Sequence, residues 1–321
     1  MKVALIGIGG MGYCHYLAYK DVEGAEVVAV CDVNVEMMRE KVGNDGVRMY
    51  ESYDELLKCE QVDYIDICTP TYLHAEQSIK AMEAGFHVLS EKPMALNNEE
   101  TARIREVAKK TGKTYMVAHV VRFGDNYVYL KNVIDTNKYG KLIRLSMKRI
   151  SSIPTWGYEN WFQDINRSGL EGLDMSIHDI DFMQYCFGMP KEILSVNYDL
   201  KGLNNYIGAT YVYDGFSVSV EGGWYKAAMD FEVGFMAIFE NGYVKLADGK
   251  LTDNGQAVSF ENNTEAKELG INIKLNNGYA REIQYFTDCL KAGKAPEMVT
   301  PDSSADSIAL VKATLNKAVQ I

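Results

Sequence analysis

Apolar residues in this chain first come in short blocks separated by stretches of helical spacing. Residues 3–6 and 27–31 read as strands, with a helix from Met11 to about Lys20 between them. Residues 35–42 read as the next helix, 48–50 as a short strand, 53–58 as a helix and 64–68 as an apolar strand. Residues 73–84 place apolar side chains at helical intervals and stop at Gly85, a common helix terminator. Residues 87–89 read as a strand, 98–111 as a helix closed by Gly112, and 114–119 as a further strand. Alternating strands and helices with short connections predict an α/β domain over residues 1–120. Its sheet should be parallel and doubly wound.

After residue 120 the pattern changes. Residues 142–150, 193–200, 207–213, 216–224 and 231–239 are runs rich in Val, Ile, Phe and Tyr, and Asp214-Gly215 and Asn241-Gly242 punctuate them as tight turns. Helices are predicted at 127–136, 174–187, 279–292 and 303–318. Residues 121–321 therefore read as an α+β domain with a large open, mainly antiparallel sheet, and helix 303–318 is expected to pack back on the first domain. Phe235-Met236-Ala237-Ile238-Phe239 is apolar at successive positions, so both faces of the sheet ask for cover. Helices cover one face, and the other predicts a homodimer or homotetramer.

Between the first strand and its helix lies Gly7-Ile8-Gly9-Gly10-Met11-Gly12. Gly7 permits the turn out of the strand, Gly9 lets backbone approach a pyrophosphate, and Gly12 lets the helix pack on the sheet. The helix N-terminus adds amide donors and positive dipole. Asp32, about twenty residues on, is placed to accept hydrogen bonds from ribose hydroxyls. These seven residues read as a dinucleotide site. A 2′-phosphate would be repelled by Asp32, and no base follows it before Arg39, so the cofactor reads as NAD. Arg39 and Lys41 are the residues that would serve NADP instead.

Acids outnumber bases, 44 to 33, and no dense Lys/Arg run is present, which argues against a nucleic-acid surface. No apolar run approaches the ~18 residues of a membrane helix, and the residues after Met1-Lys2 are too few for a secretory leader before the glycine turn. Cys14, Cys31, Cys59, Cys68, Cys186 and Cys289 are scattered without a Cys-x-x-Cys pair, the pattern of reduced thiols in a cytoplasmic protein.

Two segments carry chemistry. Glu91-Lys92-Pro93 follows a strand of the first domain, where the carboxyl ends of parallel strands face the ligand crevice. Pro93 stiffens the loop and biases Lys92 toward an extended backbone, which suits a proton-transfer group. In Asp174-Met175-Ser176-Ile177-His178-Asp179-Ile180-Asp181, helical spacing puts Asp174, His178 and Asp181 on one face. No metal is expected, because two carboxylates and one His lack a further ligand at recognisable spacing.

The glycine motif, Thr69-Pro70-Thr71-Tyr72-Leu73-His74, Ala84 to Pro93, Arg122-Phe123 and Asp174-x-x-x-His178-x-x-Asp181 occur in one order along the whole chain. That order resembles the glucose–fructose oxidoreductase/inositol dehydrogenase (Gfo/Idh/MocA) family of NAD(P)-dependent enzymes. The resemblance implies a Rossmann domain joined to an open-sheet domain, acting on sugars, polyols or their derivatives. It also implies roles for single residues. Lys92 would transfer the proton with His178 as partner, Asp174 would orient them, and Asp181 would bind substrate hydroxyls. Thr69, Pro70 and His74 would reach the nicotinamide ribose, with Glu91 and Arg122 lining the cofactor side. Trp161 could stack on a sugar face and Tyr279 could line the pocket. His15 and His119 read as a helix residue near the cofactor and a strand-end residue, and Arg149 and Arg167 as residues that could serve a peripheral acid or phosphate. Ser168-Gly169-Leu170-Glu171-Gly172 departs from the family's glycine pair before the Asp helix.

The expected activity is hydride transfer between nicotinamide and a secondary alcohol. Two alternatives remain open from sequence. One is a redox-neutral lyase or glycosidase that oxidises its sugar transiently, and the other is a non-catalytic NAD-dependent sensor.

Overall fold

The structure is a computed structural model and describes residues 1–199, 205–260 and 277–320. In chain order the first part holds β1 (Lys2–Ile6), α1 (Gly10–Ala18), β2 (Glu26–Cys31), α2 (Val35–Val42), β3 (Arg48–Tyr50) and α3 (Tyr53–Cys59). There follow β4 (Tyr64–Ile67), α4 (Thr71–Glu83), β5 (His87–Glu91), α5 (Asn98–Thr111) and β6 (Tyr115–Ala118). The strands form one parallel sheet in the order β3-β2-β1-β4-β5-β6. This is the doubly wound order, with its reversal between β1 and β4. Both faces of β1, β4 and β6 are buried, which is why these strands read as continuous apolar runs. Asn34, Ser52 and Asn97 start α2, α3 and α5 by accepting the amides of Met37, Glu55 and Glu100 at 3.0, 3.3 and 2.9 Å.

The next elements are α6 (Asp125–Asp135), β7 (Leu142–Ser152), α7 (Ile165–Ser168) and a π-helical turn, Gly172–Ser176, that runs into α8 (Ile177–Phe187). Then come β8 (Glu192–Asp199), β9 (Asn205–Val212), β10 (Ser217–Tyr225), β11 (Glu232–Phe239), β12 (Gly242–Ala247), β13 (Lys250–Asp253) and β14 (Gln256–Ala257). The chain closes with α9 (Asn277–Lys291), α10 (Pro301–Lys317) and β15 (Val319–Gln320). Among the described residues the second sheet has nine strands, ordered β14-β13-β12-β11-β7-β10-β9-β8-β15. It is mainly antiparallel, but β7 and β10 pair parallel, as do β8 and β15. The last residue of the expected strand 193–200 lies outside the described residues. Strands β12 to β15 are absent from the sequence reading; β13 to β15 are only two to four residues long.

The buried face of β11 is Phe235, Ala237 and Phe239, while Met236 and Ile238 are each 37% exposed. Register places Met236 beside Ser146, and Ser146 is followed across the sheet by Ser219, Thr210 and Leu194. The outward face is thus mixed in polarity rather than wholly apolar, which corrects the expectation from the five-residue apolar run.

Among the described residues the first compact unit draws on Met1–Val120 and Thr264–Ala305, and the second on Val121–Asn263 and Asp306–Ile321. Of the two last helices, α9 lies wholly in the first unit, while α10, the terminal helix expected to return there, begins in the first unit and continues in the second. Ile283 and Phe286 of α9 are fully buried, and the Phe286 ring stands edge-on to Tyr64 of β4 with centroids 5.2 Å apart. In the second unit, Thr314 of α10 hydrogen-bonds Tyr211 of β9 at 2.9 Å.

Candidate active site

A parallel sheet brings the carboxyl ends of all its strands to one edge. At that edge stand the glycine turn after β1, Asp32 after β2, Thr69-Pro70 after β4 and Glu91-Lys92-Pro93 after β5. Gly7 has φ +83°, and a Cβ there would lie 2.8 Å from the Cys68 carbonyl oxygen. At Gly12 a Cβ would come within 1.7 Å of the Gly7 carbonyl oxygen, so only glycine lets α1 sit this close to the turn. Gly9 differs, since a Cβ there would meet no heavy atom within 4 Å. The space that Gly9 leaves open fits the close approach of a pyrophosphate. The first turn of α1 carries no acid, and its amides have no acceptors within the helix. Asp32 accepts the amides of Ile8 and Asn34, both at 2.8 Å, one on each oxygen. A carboxylate has about four lone-pair sites, so Asp32 keeps capacity for ribose hydroxyls. Gly7, Gly9, Gly10, Met11, Gly12 and Asp32 therefore fit a bound dinucleotide.

His74 is buried, with its ring nitrogens 2.8 Å from the carbonyl oxygens of Thr69 and Pro93. It ties the loops after β4 and β5 together, and so supports Thr69 and Pro70, the residues expected with it at the nicotinamide ribose. Thr69 donates its hydroxyl to Gln77 at 2.6 Å. Lys92 is half-buried, its backbone amide donates to Glu91 Oε2 at 2.9 Å, and the Lys92–Pro93 peptide is cis.

Behind that loop lies a charge cluster the sequence reading missed. His15 of α1 is fully buried, with Nδ1 2.9 Å from Asp66 of β4 and Nε2 3.0 Å from Glu91. Tyr19 donates to the same Asp66 oxygen at 2.8 Å, and Glu282 of α9 lies 4.0 Å from His15. Burial opposes charge on His15, yet the facing Asp66 carboxylate helps to hold its pKa well above the ordinary value. Burial also works against the Glu91 carboxylate, but His15 keeps its pKa below the usual range. Burial drives the Glu282 carboxyl well above the usual carboxylate range. Tyr279 packs its ring 6.1 Å from that of His15 inside this cluster and is buried there. His119 is buried just past the end of β6. The sequence signal was weak: His15 falls on the inner face of α1, but its partners are scattered through the chain.

In the second unit the acids of the π-turn and α8 divide sharply. Asp174 and His178 are half-exposed, whereas Asp179 and Asp181 are buried. Asp181 accepts Arg122 Nε at 2.8 Å and Nη2 at 2.6 Å, together with Ser307 at 2.7 Å. Arg122 also lies 4.7 Å over the Tyr185 ring. Asp179 takes Arg149 in the same way, at 3.1 and 2.8 Å, and Tyr127 joins Arg149 at 3.0 Å. The structure thus places Asp181 and Arg122, expected on the substrate and cofactor sides, in one buried pair, and Arg149, expected to serve a peripheral acid, in another. Arg167 pairs with Glu159 at 3.5 Å. Trp161 stacks on Phe162 with centroids 4.0 Å apart, beside the cluster of Phe162, Met175 and Trp224.

Glu171, just before the π-turn, is fully buried and hydrogen-bonded to Ser176. Burial, with added repulsion from Asp174 and Asp179, pushes its carboxyl up to about 8. The arrangement offers a half-exposed lysine at the sheet edge that carries the glycine turn in the first unit, and the half-exposed Asp174 and His178 four residues apart in the second.

Comparison with known proteins adds to this geometry. Residues 1–119 match the family model described as "Oxidoreductase family, NAD-binding Rossmann fold", and residues 127–245 match the GFO/IDH/MocA C-terminal domain. A myo-inositol 2-dehydrogenase of Thermotoga maritima is 31% identical over 59% of this chain and 55% of its own length. The chain thus spans about half of that relative. A scyllo-inositol 2-dehydrogenase (NAD(+)) of Bacillus subtilis is 27% identical over 95% of this chain and 90% of its own. The crystal structure of a myo-inositol 2-dehydrogenase from Lactobacillus plantarum superposes with a TM-score of 0.81 at 25% identity, covering 99% of this chain and 97% of that one.

Two outcomes follow from the helix. Asp181→Ala strands Arg122 in a buried site and should cost about 3–5 kcal/mol in urea unfolding, whereas Asp174→Ala should stay within about 1 kcal/mol of the parent. Equal small losses would show that Asp181 is not the structural member. Glu171, with its folded pKa raised from 4.5 to about 8, binds a proton in the native state that the unfolded chain releases. Its contribution is fully present below pH 4.5 and falls as pH rises to about 8. The stability advantage of Glu171→Gln over the parent should therefore grow across that window in paired denaturation curves. A constant difference would contradict the buried neutral carboxyl.

Proposed function

The chain belongs to the GFO/IDH/MocA family of NAD-binding oxidoreductases, and on that premise we propose that it is an NAD-dependent dehydrogenase acting on a secondary alcohol of a sugar, polyol or sugar derivative. The observation that carries this reading is the placement of Lys92 at the same sheet edge as the glycine turn and Asp32. When bound, the nicotinamide supplies the acceptor for the substrate's hydride. Lys92 removes the hydroxyl proton, with His178 as its partner, and Asp174 orients them. The first-turn amides of α1 hold the pyrophosphate and Asp32 the ribose hydroxyls. Thr69, Pro70 and Glu91 shape the cofactor side. Holding the alcohol in one orientation turns an encounter of two reactants into a single positioned complex.

NAD is favoured over NADP because Asp32 would repel a 2′-phosphate. Arg39 is exposed and pairs with Glu36 at 3.5 Å. A neutral, polyhydroxylated substrate suits Asp174 and His178, which offer an acceptor and a switchable group to hydroxyls, while the carboxylate disfavours anions. The Thermotoga and Bacillus relatives named for inositol oxidation support it. The six free thiols suit a reducing cytoplasm as the working compartment. We also read a homodimer or homotetramer formed through the outward face of the second sheet, where Leu194, Met236 and Ile238 are exposed among Arg144, Ser146 and Thr210.

Incubation with NAD and a panel of cyclitols, aldoses, sugar acids and anhydrosugars tests the activity, with accumulation of NADH expected. Substrate turnover without NADH would instead establish the redox-neutral chemistry, and neither turnover nor NAD binding would sink the reading. Lys92→Met should keep NAD affinity and lower turnover about 10²–10⁴-fold; near-normal turnover would move the proton-transfer role to His178. Light scattering at micromolar protein should give twice or four times the chain mass, and a monomer mass would refute the assembly.

A further inference from the structure

Lys41, in the last turn of α2, stands out among the cations of the first unit. It is half-buried, and its ammonium donates to two backbone carbonyls, Ile8 at 2.8 Å and Gly9 at 3.2 Å. The same ammonium lies 4.9 Å from the ring centroid of Tyr13. Burial lowers its pKa, and the nearby Asp32 carboxylate opposes that shift. Nothing in the packing of α2 requires an ammonium at this place, since the buried face of that helix is Met38 and Val42.

The two carbonyls belong to the peptide units that enter the glycine turn. Those units are trans, and in a planar trans peptide the C=O and N–H bonds point in opposite directions. Drawing the Ile8 carbonyl toward Lys41 therefore turns the Gly9 amide away from it. Drawing the Gly9 carbonyl the same way turns the Gly10 amide away as well. The preceding unit, Gly7–Ile8, is held as well, through the Ile8 amide, which donates to Asp32 Oδ2 at 2.8 Å. Gly9 O in addition accepts the Tyr13 amide at 3.1 Å, the first bond of α1. The two contacts from Lys41 and the one from the Tyr13 amide thus fix the planes of two successive peptides, and a Cβ built at Gly9 between them would meet no heavy atom within 4 Å.

We propose that Lys41 is a positioning residue for the cofactor's pyrophosphate. From behind the turn it orients the Gly9 and Gly10 amides as preformed donors for the phosphate oxygens. The same commitment removes Lys41 from service as a receptor for a 2′-phosphate. The proposal rests on the NAD-binding reading and deepens it. Preorganised donors bind more tightly because the cost of ordering them is met before the ligand arrives.

The test is Lys41→Met, which keeps the aliphatic stem and removes the donor, measured on the full chain with three ligands. NAD and ADP-ribose, which carry the pyrophosphate, should each lose about tenfold or more in affinity by calorimetry, since each tenfold is the scale of one such interaction. Adenosine, which lacks the pyrophosphate, should bind as to the parent by ligand-observed NMR. Unchanged affinity for NAD and ADP-ribose overturns the proposal. So does an equal loss for all three ligands, which would mark general damage to the unit. Should Lys41→Met not fold, Lys41→Ala also removes the donor and is read on the same ligands. A loss confined to NAD and ADP-ribose supports the proposal, and no loss overturns it. Failure of the parent to bind NAD at all would instead defeat the cofactor reading, so the two failures are separable.

Discussion

The structure depends on how closely β1, β4 and α1 meet at Gly7. The Gly7 amide donates to the Cys31 carbonyl and the Cys68 amide to the Ile6 carbonyl, each at 2.7 Å, so β1 is held by β2 on one side and β4 on the other to its last residue. Beyond that point the chain turns against the Cys68 carbonyl, and α1 starts against the carbonyl of Gly7 itself. No side chain fits at Gly7 or Gly12. Because the turn is pinned there, Asp32 reaches the Ile8 amide, Lys41 reaches the carbonyls of Ile8 and Gly9, and His15 is delivered to Asp66 and Glu91.

Buried charge sets the rest. Burying an ion pair contributes little net stability compared with a well-packed apolar pair, but losing one partner is costly, so such pairs act chiefly to enforce one arrangement. His15 between Asp66 and Glu91 aligns α1 with β4 and β5, and Glu282 brings α9 to the same place. In the second unit Arg149 and Asp179 tie β7 to α8, while Arg122, Asp181 and Ser307 tie α8 to the segment after β6 and to α10. Once Asp179 and Asp181 are spent this way, the half-exposed polar groups of the π-turn and first α8 turn are Asp174 and His178. A π-helical turn at such a place is a common mark of functional sites.

What the sequence by itself determined is local. The bounds of α2 and α5 follow from cap residues and helical spacing, and the glycine turn with Asp32 follows from motif spacing. These signals act within a few residues of one another, through backbone sterics and side-chain period. The alternation of strands and helices then leaves few topologies, because parallel crossovers are right-handed. The order of motifs along the chain was enough to resemble the right family. The tertiary structure decided the rest. Helical period puts Asp174, His178 and Asp181 on one face, yet it cannot tell which carboxylate meets an arginine. Arg122 lies 59 residues from Asp181, and Arg149 lies 30 from Asp179. It cannot place β7 between β11 and β10, return α9 to β4, or bring Lys41 under the glycine turn 32 residues before it. Each of those outcomes requires removing charged or apolar groups from water against a distant part of the chain, and that free energy exists only once the packed partner is present.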